Sequence, residues 1–95
     1  MKKEILELHA EFCRTFAHPK RLEILDILKR GEMTVSDMQK KIGESRTYTS
    51  QQLTLMRMKG VLKTRREGQN IYYSIVSDKV SQACTLMQQA LSQLM

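Results

Sequence analysis

Two thiols, Cys13 and Cys84, and two imidazoles, His9 and His18, are the chain's soft-ligand and redox chemistry. The cysteines stand near opposite ends of the sequence and form no CxxC pair. A packed or half-exposed imidazole is the expected state of His9. There is no glycine-rich phosphate loop, and no Ser, Cys or Asp sits in a nucleophile motif, which leaves an enzyme reading without residues to rest on. A second constellation offers different chemistry. Arg46, Thr47, Tyr48, Ser50, Gln51 and Gln52 all carry hydrogen-bonding groups at the start of one segment. Gln can pair bidentately with adenine, Arg with guanine, and Ser or Thr with bases or phosphates. Leu53, Leu55 and Met56 follow as the apolar rear of the same segment.

Charge selects among partners. Sixteen Lys and Arg against ten Asp and Glu give a formal net charge of +6 over 95 residues, which favours an anionic partner. The excess is local. Lys40, Lys41, Arg46, Arg57, Lys59, Lys63, Arg65 and Arg66 fall in one stretch with Glu44 as its only acid, and the rest of the chain is close to neutral. Such a field is the footprint of phosphate binding. A merely solvated polar face would not need it. No apolar run approaches the ~18 residues of a membrane span. The first residues have no signal-like apolar core, being broken by Glu4, Glu7, His9 and Glu11. A cytoplasmic protein with reduced thiols is therefore expected.

The elements that must position these groups can be read from periodicity. Ile5, Leu8, Phe12 and Phe16 recur at helical spacing over residues 3–16. Pro19 suits the first turn of a second helix, with Leu22, Ile24, Leu25, Ile27 and Leu28 as its apolar face and Gly31 beyond its end. Ser36-Asp37-Met38-Gln39 has the capping-box form and predicts a short helix through Ile42. Gly43 ends it, and Ser45 caps a helix running to about Lys59. Helix, three-residue turn with glycine, helix is the helix-turn-helix signature. Val61–Arg66 and Ile71–Ile75 favour strands around a turn at Glu67–Asn70, with Ile71, Tyr73 and Ile75 on one face. Ser77-Asp78 caps a last helix with the stripe Val80, Ala83, Cys84, Met87, Leu91 and Leu94. The expectation is one mainly helical domain over residues 1–95: five helices and a β-hairpin wing, a winged helix-turn-helix. The wing puts Arg65, Arg66 and Gln69 near DNA, with Lys41 on the flank. Since the pleat sends Arg65 and Arg66 to opposite faces, one of them can instead pair with Glu67 or another acid.

In order and combination these residues resemble the ArsR/SmtB family of winged-helix repressors. The match runs from His18-Pro19-Lys20-Arg21-Leu22-Glu23-Ile24-Leu25 through Thr34–Met38 and Ser50-Gln51-Gln52-Leu53. It ends in Gly60-Val61-Leu62 and Thr64–Tyr73, so that the likeness covers roughly residues 5–94. It implies a symmetric dimer formed by the first and last helices, through Ile5, Leu8, Phe12, Val80, Met87, Leu91 and Leu94. Such a dimer reads a pseudo-palindromic operator in double-stranded DNA and releases it when an inducer binds. His18, in the family's His-Pro helix start, is expected to cap or pack.

The inducer is not legible by the same route. One family metal site uses a cysteine-containing motif where Glu32-Met33-Thr34-Val35-Ser36 stands here. The other falls near Ser77, Lys79, Ala90 and Gln93, and Lys and Ala cannot supply zinc ligands. No metal and no cofactor are expected. Thiol-switching members of the family carry their cysteines where Asp26 and roughly Ser92 stand here, so their switch cannot be transferred. Cys13 and Cys84 remain as sensor candidates of their own. The alternatives are that both simply pack as small apolar groups, or that they hold arsenite or another thiophilic metal by sharing ligands between chains. A winged helix used for protein–protein contact, or a non-specific DNA-coating protein, are the rival functions. The first would show an apolar patch in place of a basic one, and the second makes poor use of Gln51 and Gln52.

Overall fold

A computed structural model describes residues 1–95. Five helices and one hairpin follow in the order α1 (Lys3–Phe16), α2 (Pro19–Leu28), α3 (Val35–Ile42), α4 (Arg46–Met58), β1 (Leu62–Glu67), β2 (Asn70–Ile75) and α5 (Asp78–Ser92). Local chemistry sets most of the boundaries. Pro19 opens α2, where its missing N–H costs no hydrogen bond, and His18 caps the helix by accepting the Lys20 N–H on Nδ1 at 3.2 Å. Gly43 ends α3 in the left-handed region (φ 67°), and Ser45 caps α4 by accepting the Tyr48 N–H at 3.1 Å.

One boundary differs from the sequence expectation. The cap of α3 is Thr34, whose hydroxyl accepts the Asp37 N–H at 3.2 Å, and not Ser36. Thr34 provides the same oxygen two residues earlier, and Asp37 then falls in the first turn, where the helix dipole favours an acid. Ser36 is left inside the helix with its hydroxyl free for another partner.

The hairpin pairs Leu62 with Ile75 through to Glu67 with Asn70, around a two-residue turn that begins with Gly68 at φ 62°. A positive φ at the first turn position suits the twist of a tight hairpin and favours glycine there. Met33 exchanges main-chain hydrogen bonds with Tyr73 at 3.0 and 2.8 Å, so the strand nearest the core is also tied to the residues just before α3.

The core is small. Ile24, Leu25 and Leu28 of α2 meet Met38 and Ile42 of α3, Leu53 and Met56 of α4, and Val61, Leu62 and Tyr73 from the hairpin. Each such side chain is worth about 1.5–3 kcal/mol on burial. Several apolar residues of the expected faces lie outside it. Leu22, Ile27 and Leu55 are only partly covered, and Ile71 is exposed because the hairpin runs past the core. The terminal helices contribute least: Thr15 is the only buried residue of α1, and α5 has none. Their apolar stripes face outward instead, with Leu8 67%, Met87 64% and Leu91 53% exposed, and Leu94, expected on the last helix, lies beyond the end of α5 at Ser92. Phe12 and Phe16 stack edge to face at 5.5 Å, and with Cys84 they form the seam against the core. No helix is long and apolar enough to cross a membrane.

Candidate nucleic-acid interface

Helix α4 is amphipathic in the sense required for insertion into a groove. Thr49, Leu53 and Met56 are fully buried, and Thr49 spends its hydroxyl on the Ser45 carbonyl at 2.8 Å. The 3.6-residue period then turns Thr47, Ser50, Gln51 and Thr54 away from the core. Arg46, Thr47 and Gln51 are exposed, whereas Tyr48, Ser50 and Thr54 are half-buried at the margins. Thr54 was not among the residues expected from sequence. Its spacing of seven from Thr47 and four from Ser50 is the signal that places it with them.

Gln52 behaves differently from its neighbour. It is half-buried, and its Oε1 accepts the Nε–H of Arg21 on α2 at 2.8 Å. Arg46 is also engaged, donating from Nη1 to the Ser36 hydroxyl at 2.6 Å, which fastens the start of α4 to α3. The first turn of α4, like that of α2, holds no acid, whereas Glu4, Asp37 and Asp78 occupy that turn in α1, α3 and α5. The positive end of the α4 dipole is thus left for an external anion.

The flanking charges sharpen the field. Lys20 donates to the Ile42 carbonyl at 2.9 Å and pairs with both Glu23 and Glu44 at 3.3 Å. Glu23 foremost, with Glu44, holds the Lys20 ammonium above its usual range. Glu44, the one acid of the basic stretch, is therefore matched from outside it. Lys40, Lys41, Arg46, Lys63 and Arg66 are exposed and make no ion pair.

On the wing the two arginines part company. Arg65 grips Glu32 with two nitrogens, donates to Glu67 at 2.7 Å, and lies 4.6 Å over the Tyr72 ring. Its hydrogen bonds hold the Glu32 carboxyl below the usual carboxylate range. With the folded value depressed, this contribution is present above the ordinary carboxylate range and is lost as pH falls through the depressed value. Arg66, on the opposite face, meets only the Gly68 carbonyl at 3.1 Å. Gln69 is exposed at the tip.

Away from this surface, α1 and α5 border a groove of about 380 Å³ lined by His9, Phe12, Cys13, Cys84, Met87 and Leu91 among others. Both cysteines are free and half-buried. Burial pushes the Cys84 thiol above its ordinary value, against the pull of Lys29. It is therefore a thiol, not a thiolate, at neutral pH. No three His, Cys, Asp or Glu side chains converge anywhere in the chain.

A helix-turn-helix with a polar, acid-free second helix, followed at once by a hairpin, defines a winged helix-turn-helix domain. Residues 18–64 match the profile of the arsR family of bacterial regulatory proteins. The chain is 36% identical over 81 residues to the biofilm growth-associated repressor of Agrobacterium fabrum, covering 85% of this chain and 68% of that one. It belongs to the arsR family. It is 44% identical over 79 residues to the nodulation protein NolR of Rhizobium meliloti, covering 83% of this chain but only 65% of NolR. Its backbone follows the homodimeric winged helix-turn-helix DNA-binding domain of a possible ArsR-family regulator from Mycobacterium bovis. The TM-score is 0.87 at 30% identity, over 95% of this chain and 83% of that one.

Proposed function

We propose that the chain is a homodimeric repressor that reads a pseudo-palindromic operator through α4 and braces itself on the backbone with its wing. The observation that carries this reading is the outward face of α4: polar, without acids, and set at an uncompensated helix N-terminus. Gln51 and Thr47 take the base edges, while Arg46, Ser50, Lys41 and Arg66 address phosphates, with Gln69 at the wing tip. Arg65 shapes the wing. The outward stripes of α1 and α5 support dimerisation there, with Ile5, Leu8, Phe12, Val80, Met87, Leu91 and Leu94 in the contact. A two-fold pairing sets the two α4 helices about one turn of DNA apart.

Replacing Gln51 by Ala is expected to lower preference for the operator by about 1–3 kcal/mol while leaving affinity for random duplex unchanged. Competition titrations measure both. An equal loss on the two duplexes would remove Gln51 from the base-reading set.

Release from DNA is assigned to Cys13 and Cys84, because both thiols open onto one groove between the dimerisation helices. An oxidant such as diamide takes up two electrons and two protons as the two sulfurs join, and the bond pins α1 to α5. Fluorescence anisotropy on DNA upstream of the protein's own gene, at one fixed salt, tests function and switch together. The expected result is tight, competitor-resistant binding by reduced protein, lost on oxidation and retained by oxidised Cys13→Ser or Cys84→Ser. Binding indifferent to oxidation would reduce both cysteines to packing groups.

A further inference from the structure

Arg21 lies off the face that meets DNA, yet its guanidinium joins three helices. From α2, its Nε donates to Oε1 of Gln52 on α4 at 2.8 Å, and its Nη1 donates to the main-chain carbonyl of Thr15 on α1 at 2.9 Å. The last carbonyls of a helix have no partner within it, and they form the negative end of its dipole. Arg21 supplies both the donor and the positive charge there. Thr15 is the one buried residue of α1, and its hydroxyl donates back to the Glu11 carbonyl at 3.2 Å. The only other polar link from α1 towards α4 is the looser ion pair of Glu11 with Lys59, the residue just past the end of α4, at 3.9 Å.

We propose that Arg21 is a positioning residue that fixes α4 to α1 through Gln52 and Thr15, and so sets the separation and tilt of the two α4 helices in a dimer. The consequence for DNA rests on the operator-reading function and on dimerisation through α1. Two features favour this role. The planar fork of arginine holds two acceptors in fixed directions at once, which the single ammonium of lysine does not reproduce. With one lone pair of its oxygen engaged by Arg21, the Gln52 amide is held toward α2. The bidentate donor–acceptor contact with adenine is then left to Gln51.

The test has one arm without DNA and one with it. In ¹H–¹⁵N spectra of the 95-residue chain, Gln52→Leu is expected to shift the amides of Phe16 and Ala17, which follow the Thr15 carbonyl. The same replacement in an Arg21→Ala background should leave them in place. No shift in the first case, or a shift that survives the loss of Arg21, would overturn the relay. On DNA, wild-type protein is expected to reject operators whose half-sites are one base pair too close or too far. Arg21→Lys and Gln52→Leu should each weaken that rejection by about tenfold. The double variant should be no worse than either alone, as for residues acting through one contact. A merely structural residue would lower affinity for all spacings equally, and that outcome would overturn the positioning role. Wild-type protein that binds no operator would overturn the repressor reading instead, and the spectra would still decide the relay.

Discussion

Replacing Leu91 by Glu yields a folded monomer whose affinity for the operator is lower by about 10²–10⁴-fold. The side chain lines the groove beside α1 and is about half exposed, at 53%, so removing it opens no cavity in the protomer's own core. In the dimer proposed above it lies under the partner's apolar stripe, where an unpaired carboxylate loses its hydration with nothing in return. The loss on DNA follows from linkage. Two α4 helices on one body bind the second half-site as an intramolecular event, and separate monomers must find each half-site independently. Sedimentation velocity gives the mass, circular dichroism the fold, and anisotropy the affinity. A dimer that persists at micromolar concentration would move the interface away from α5.

Raising salt from 50 to 200 mM lowers operator affinity by about 10³–10⁵-fold for a dimer making six to ten phosphate contacts. Five exposed cations of the basic stretch in each protomer, Lys40, Lys41, Arg46, Lys63 and Arg66, make no ion pair and supply that number. The slope of log affinity against log salt also separates the two wing arginines. Arg66→Ala is expected to reduce it by about two for the dimer, one per protomer. Arg65→Gln made together with Glu32→Gln removes a matched pair without changing net charge, and should leave the slope as it was. If the double replacement flattened the slope as much as Arg66→Ala does, Arg65 would be the phosphate contact after all. A slope near zero for the wild type would favour a protein–protein role.

Much of the architecture is legible because its signals are local. Pro19, Gly43, Ser45, Gly68 and Ser77 punctuate the chain through the conformations and donors of their own residues, and the elements lie where they indicate. At α3 the capping-box form points to Ser36, whereas Thr34, two residues earlier, is the cap. What sequence does not disclose is contact between distant positions. Arg21 meets Gln52 across 31 residues, and Glu32 meets Arg65 across 33. Both pairings change what a side chain of the expected surface can do, although residue type and periodicity are the same with or without them. Two adjacent glutamines look equivalent on paper, and for the two arginines the pleat tells that one can pair with an acid but not which one. In each pair one member is taken up by another element and the other is not.

The wing also has a property that follows from how it is held. A two-stranded hairpin alone in water is marginally stable at best. This one is tied at its base by the Met33–Tyr73 main-chain pair and along its outer face by the grip of Arg65 on Glu32. Its strands are therefore ordered before any ligand arrives. Fixing a free backbone costs about 1–2 kcal/mol of entropy per residue. That cost has been met during folding, so an encounter with a duplex need not order the hairpin backbone. The wing and the start of α3 also move together, which makes the hairpin a rigid arm of the helix-turn-helix and not a tentacle searching for the backbone.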